Sequence, residues 1–89
     1  MKKSQPKKLQ SSAYSLENLK KDILEEARVL RIHSGFANQI AEKVVQVIEK
    51  FLSNHPVVTK EEVDKIIVSE LKKYNKDLAY IYHNRDKII

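Results

Sequence analysis

The residues of this chain best equipped for chemistry are three histidines, two adjacent glutamate pairs, and a tyrosine-rich segment that ends in arginine. His33, His55 and His83 fall in three different connections or helix ends. A metal centre needs ligands that converge, most simply at i and i+4 on one helix, and these histidines have no such spacing and no cysteine partners. No metal site is expected. Glu25-Glu26 and Glu61-Glu62 are neighbours on helices, where adjacent side chains do not face each other, so neither pair can share a proton or flank a scissile bond. The chain has one glycine, too few for a phosphate-cradling loop, and no Ser/His/Asp order stands out. No catalytic residues are expected, and the reading is of a protein that is not an enzyme.

What remains is binding chemistry. Tyr74, Tyr80 and Tyr82 stand close to His83, Asn84 and Arg85. Such a cluster is either core with an amphipathic rim or a surface that stacks a base and grips a phosphate. The basic residues form two groups, Lys2, Lys3, Lys7 and Lys8 near the start and Lys72, Lys73 and Lys76 near the end. The formal net charge of +5 resides mostly in the first group, because the first thirteen residues hold no acid and the remaining 13 Lys and Arg face 12 Asp and Glu. The basicity therefore belongs to a tail, which is either solvated or a phosphate-contacting arm.

The elements that must position these residues follow from apolar spacing. Leu16, Leu19, Ile23, Ala27 and Leu30 trace one face of a helix, with Ser15 as N-cap and Glu17 in the first turn. That helix is expected to stop near Arg31–His33, with Ser34-Gly35 as break and new cap. A second helix carries Phe36, Ala37, Ile40, Ala41, Val44, Val47, Ile48, Phe51 and Leu52, a stripe broad enough to meet neighbours on two sides. Asn54-His55-Pro56 ends it. Thr59-Lys60-Glu61-Glu62 reads as a capping box for a third helix through Val63, Ile66, Ile67, Leu71 and Tyr74. Asn75 is expected to close it in a left-handed conformation. Asp77 is the expected cap of a fourth helix burying Leu78, Ile81, Tyr82 and Ile88. Val57-Val58 suits a short extended lead-in.

These 89 residues, with 42% hydrophobic and 33% charged, make one small folded domain. The expectation is an all-α compact bundle of four helices over residues 14–89, preceded by an irregular, basic tail over residues 1–13, flexible or weakly extended, with a small β element as its alternative form. The absence of cysteine fits a cytoplasmic location, and no apolar run approaches the roughly 20 residues that would cross a bilayer.

Several segments together resemble the ATP-cone, a nucleotide-sensing module of ribonucleotide reductases, of their transcriptional repressor and of archaeal 2-phosphoglycerate kinase. Tyr14-Ser15-Leu16-Glu17-Asn18-Leu19 is similar to the family's aromatic–Asp–x–x–Lys–Ile start of its first helix, and Ile23 and Ala27 match the Ile and Ala that follow. Ala37, Ile40, Ala41 and Val44 resemble its second helix. Val58-Thr59-Lys60-Glu61-Glu62-Val63, with Ile67 and Leu71, follows its valine–Ser/Thr–x–Glu–hydrophobic pattern. Asp77-Leu78-Ala79-Tyr80 and Tyr82 look like its Asp–x–Ala–x–x–Tyr ending. The family opens with a small β element bearing valine–x–Lys–Arg–Asp–Gly, which contacts the nucleotide's phosphates. Here the corresponding segment is Pro6-Lys7-Lys8-Leu9-Gln10-Ser11-Ser12, without the glycine. Asn18 stands where the family has Lys, and Arg85 is displaced by a residue from its Tyr-Arg pair.

The resemblance implies a small regulatory module that binds ATP or dATP as a regulatory ligand, requires no other cofactor, and meets the phosphates with Lys7, Lys8 and Arg85. It also allows a degenerate relative that acts through protein contacts or a homodimer. Two other readings stand beside it. One is nucleic-acid binding through Lys2, Lys3, Lys7, Lys8, Lys72, Lys73 and Lys76; the other is a helical protein-interaction module without a ligand. None of the three involves a membrane.

Overall fold

The computed structural model describes residues 8–85, so Lys2, Lys3 and Lys7 of the expected basic arm, and Ile88 of the expected last face, lie outside the described residues. The chain runs β1 (Lys8–Gln10), a 3-10 turn (Ser11–Ala13), α1 (Leu16–Val29), α2 (Ser34–Asn54), β2 (Val57–Thr59), α3 (Lys60–Lys72) and α4 (Lys76–Asn84). The fold is all-α, four helices with a two-stranded antiparallel sheet near the N-terminus.

α1 packs chiefly on α2 and α3 on α4, while α2 also meets α3. The long α2 buries Ala37, Ile40, Ala41, Val44, Ile48 and Leu52, and the small Ala37 and Ala41 allow neighbouring elements to come close. Against this stripe lie Leu19, Ile23 and Ala27 of α1, Val63, Ile67 and Leu71 of α3, and Leu78, Ala79 and Tyr82 of α4. No polar or charged residue is buried in this core among the described residues. Phe36, expected on the apolar stripe, is instead exposed. It lies in the first turn of α2.

The described part of the expected tail holds the small β element and is not flexible chain. Lys8, Leu9 and Gln10 pair with Thr59, Val58 and Val57. Leu9 packs against the core opposite Val58, which is fully buried. The Ser11 hydroxyl then donates to the His55 carbonyl, and the Ser11 N–H donates to the Pro56 carbonyl at 2.9 Å. The folded unit therefore includes Lys8–Ala13, earlier than the boundary expected at residue 14. The β-branched pair at 57–58 supplies the strand that holds it.

Three connections differ in detail from the sequence reading. α1 ends in a Schellman arrangement, with the Ile32 N–H on the Ala27 carbonyl and the Arg31 N–H on the Arg28 carbonyl, both at 3.0 Å. Arg31, at φ 59°, holds the left-handed position. Gly35 has no such role and sits in the first turn of α2, capped by the His33 ring, whose Nδ1 accepts from the Gly35 N–H at 3.1 Å. Asn75 is extended (φ −161°, ψ 113°), and its Oδ1 accepts from the Leu78 N–H at 2.9 Å. Asn75 is thus the N-cap of α4, and Asp77 lies inside the first turn. Asn75, extended and just before the helix, aims its side chain at the free N–H of Leu78, which Asp77, already helical, cannot reach.

Candidate functional site

Two capped helix starts and the end of α4 aim side chains into one cleft. Ser15 caps α1 by accepting from the Asn18 N–H at 3.1 Å, which fixes the turn that carries Asn18 and, four residues on, Asp22. At α3 the Thr59 hydroxyl accepts from the Glu62 N–H at 3.1 Å and the Glu62 carboxylate accepts from the Thr59 N–H at 2.9 Å. This capping box places Lys60 and Asp64 one turn apart on the same face. α4, started by Asn75, brings Tyr82 and Arg85 from the other side. Leu9 of β1 and Tyr14, just after the 3-10 turn, complete the wall. The cleft between them has a volume of about 410 Å³.

The charged groups of the cleft are engaged with one another. Lys60 Nζ lies 3.4 Å from Asp64 Oδ2. Arg85 bridges α4 to α1, with Nη1 3.3 Å from Asp22 Oδ2 and Nε 3.6 Å from Glu26 Oε2. Its guanidinium also lies 5.8 Å from the centre of the Tyr82 ring, within cation–π range. Nη1 is buried without a directional hydrogen bond among the described residues, so its contact with Asp22 is an ion pair that leaves a donor unused.

Tyr14 and Tyr82 both line the cleft. Burial, then the nearby Asp64 and Asp22, push the Tyr14 hydroxyl up to about 12, against the opposing pull of Lys60. Burial first, then Tyr14, Asp64 and Asp22, push Tyr82 up as well, against the opposing pull of Arg85. Both phenols are therefore neutral donors and acceptors near neutral pH. Two phenols, one amide, two cations and two carboxylates can recognise and orient a polar ligand.

Of the residues expected to meet a nucleotide, Arg85 lines this cleft. Lys8 is exposed on β1 and is not among the lining residues; strand alternation puts Leu9 toward the cleft. Lys7 lies outside the described residues. The sequence pattern does not single out Tyr14, Asp22, Lys60 and Asp64 as site residues. The capping box that positions Lys60 and Asp64 is the available signal.

The other basic cluster divides. Lys73 pairs with Glu70 at 2.6 Å, and Glu70 holds the Lys73 ammonium above the ordinary lysine pKa. Lys72 and Lys76 instead line a groove between α3 and α4 with Val68, Ala79, Tyr80 and His83. Through Val68, Lys72 and His83 that groove continues to Lys65 and Ser69, and then to Lys60, Glu61 and Asp64.

The histidines do not converge. His33 caps the start of α2, and His55 lies just past its end, stacked on Phe51 with ring centres 4.2 Å apart; 21 helical residues separate them by about 30 Å. Among the described residues no group of three or more His, Asp or Glu is placed to hold a metal ion, and no helix is long and apolar enough to cross a membrane.

No protein-family model matches this chain, and the comparisons with curated proteins and with solved structures likewise found no match.

Proposed function

We propose that the chain is a small regulatory module of ATP-cone type that binds ATP or dATP in the cleft between β1, α1, α3 and α4. The observation that carries this reading is the cleft itself, where Asn18, Tyr14, Tyr82, Lys60 and Arg85 are drawn from separate parts of the chain around about 410 Å³ of space. The resemblance in sequence puts the nucleotide beside the N-terminal β element, and β1 with its following 3-10 turn borders this cleft. Tyr14 and Tyr82 offer neutral hydroxyls to the nucleoside. Arg85 and Lys60 offer positive charge to the phosphates, with Lys8 on the adjoining strand.

The same contacts supply a means of regulation. Arg85 ties α4 to Asp22 and Glu26 of α1. A polyphosphate offers a guanidinium more charge and more acceptor oxygens than this half-buried carboxylate pair. Its arrival would draw Arg85 from α1 and change how α4 sits against it, and that change is what a partner or second copy would sense. The module acts by binding and not by turnover.

A thermal-shift titration with ATP and dATP tests the proposal. Binding to the folded chain alone raises stability by about 1.4 kcal/mol at tenfold excess over Kd, several degrees for a domain of this size. Arg85→Gln should reduce the shift. An unfolding temperature indifferent to millimolar nucleotide would sink the reading.

A further inference from the structure

The groove between α3 and α4 is a second site, and its chemistry differs from that of the cleft. On α3, Lys65, Val68 and Lys72 stand at i, i+3 and i+7; on α4, Lys76, Tyr80 and His83 stand at i, i+4 and i+7. Each set forms one stripe along its helix, and the two stripes line the two halves of the groove. Lys65, Lys72 and Lys76 have no ion pair among the described residues. This contrasts with Lys73, held by Glu70, and Lys60, beside Asp64. Tyr80 is 71% exposed, so its ring is not part of the core. The carboxylates of the groove, Glu61 and Asp64, lie at the end near Lys60, while the portion holding Lys72, Lys76 and Tyr80 contains none.

We infer that this groove binds a single-stranded nucleic acid, with Lys65, Lys72 and Lys76 on the phosphates and Tyr80 stacked on a base. Three cations along one groove call for an extended polyanion, and an exposed aromatic ring beside Lys72 and Lys76 calls for one that carries flat, unpaired rings. A duplex keeps its bases stacked inside and offers nothing to Tyr80. Val68 and Ala79 give the groove an apolar floor on which the base can rest. An acidic protein segment would satisfy the lysines but leave the ring without a partner.

The test is fluorescence anisotropy with the full chain and labelled 12-nucleotide single-stranded RNA and DNA, across a range of salt. Binding is expected to weaken steeply with salt. The triple variant Lys65→Gln, Lys72→Gln, Lys76→Gln should lower the slope of log K against log salt by about 2, since each phosphate neutralised on a single strand accounts for about 0.7 of that slope. Tyr80→Ala should weaken binding about tenfold or more with the salt slope unchanged, and Tyr80→Phe should restore it. All four positions are exposed, so circular dichroism of the variants should match the parent. The inference is overturned if the oligonucleotides do not bind at low salt. It is overturned equally if binding survives the triple variant, which would place it on the N-terminal lysines. A Tyr80→Ala variant that binds as tightly as the parent would show a polyanion surface without base stacking, and would also defeat it. Preference between the RNA and DNA strands separates the two sources of the same chemistry.

Discussion

Tyr14 and Tyr82 share the cleft with Asp22 and Asp64, and their hydroxyls are held neutral well beyond the ordinary phenol range. In the unfolded chain each ionises near pH 10. A folded-state pKa raised above that value gives stability that is complete below about pH 10 and is lost as pH rises through the folded pKa, which for Tyr14 is about 12. Unfolding temperature should therefore fall between about pH 10 and about pH 12, and ultraviolet titration should show these two phenols ionising late. The double variant Tyr14→Phe, Tyr82→Phe should flatten that fall; a double variant whose alkaline profile matches the parent would show that the pair does not contribute. Arg85 gives a second prediction at this scale. It is the tie between α4 and α1, so Arg85→Ala should cost about 1–2 kcal/mol, because it also strands Glu26 and Asp22. Arg85→Lys should recover little, since an ammonium cannot reach both carboxylates with a planar fork. The cluster of Tyr82 and Arg85 is visible in the sequence. Its partners Tyr14 and Asp22 are not, because periodicity within a helix says which face is apolar but not which distant helix that face meets.

At the scale of elements, the starts of α1 and α3 are legible in the sequence, and the junctions between α1 and α2 and between α3 and α4 less so. The Ser15 cap and the Thr59–Glu62 capping box are local patterns of a few residues, and both are present as hydrogen bonds. Thr59→Ala should cost about 1 kcal/mol by chemical denaturation, with Thr59→Ser close to the parent. The end of α1 is harder to read because the one glycine nearby suggests itself as the break, while the left-handed position falls to Arg31. A side chain there costs about 1–2 kcal/mol in local conformation, partly offset by the greater freedom glycine brings to the unfolded chain. Arg31→Gly should therefore raise stability by about 0.5–1 kcal/mol, since Arg31 is exposed and its Schellman bonds use only backbone. A denaturation midpoint that falls instead would mean the Arg31 side chain has a role in the folded state. Asn75 is the converse of Arg31: a residue type suited to ending one helix is used to start the next.

For the molecule as a whole, the N-terminal strand decides what kind of domain this is. Sequence patterning finds the four helices because each has an apolar stripe several turns long. It places Lys8–Gln10 in a tail because three residues with a single large apolar side chain carry no periodicity. Strand identity here comes from the partner: Val58 is buried, and its backbone is paired with Leu9 across the sheet. Remove β1 and β2 becomes an unpaired edge, Val58 loses its cover, and the cleft loses Leu9 from its wall. Deleting residues 1–10 should then cost about 1–3 kcal/mol, the scale of burying one aliphatic side chain, and lower the unfolding temperature by roughly 4–8 °C per kcal/mol. Leu9→Ala in the full chain should reproduce a large part of that loss, which separates apolar burial from the loss of basic charge. Because Leu9 borders the cleft but not the α3–α4 groove, the same variant should blunt the thermal response to ATP while leaving oligonucleotide binding in place. If the truncated chain unfolds at the parent temperature, β1 is a tail after all. If Leu9→Ala weakens oligonucleotide binding as much as nucleotide binding, cleft and groove are not independent sites.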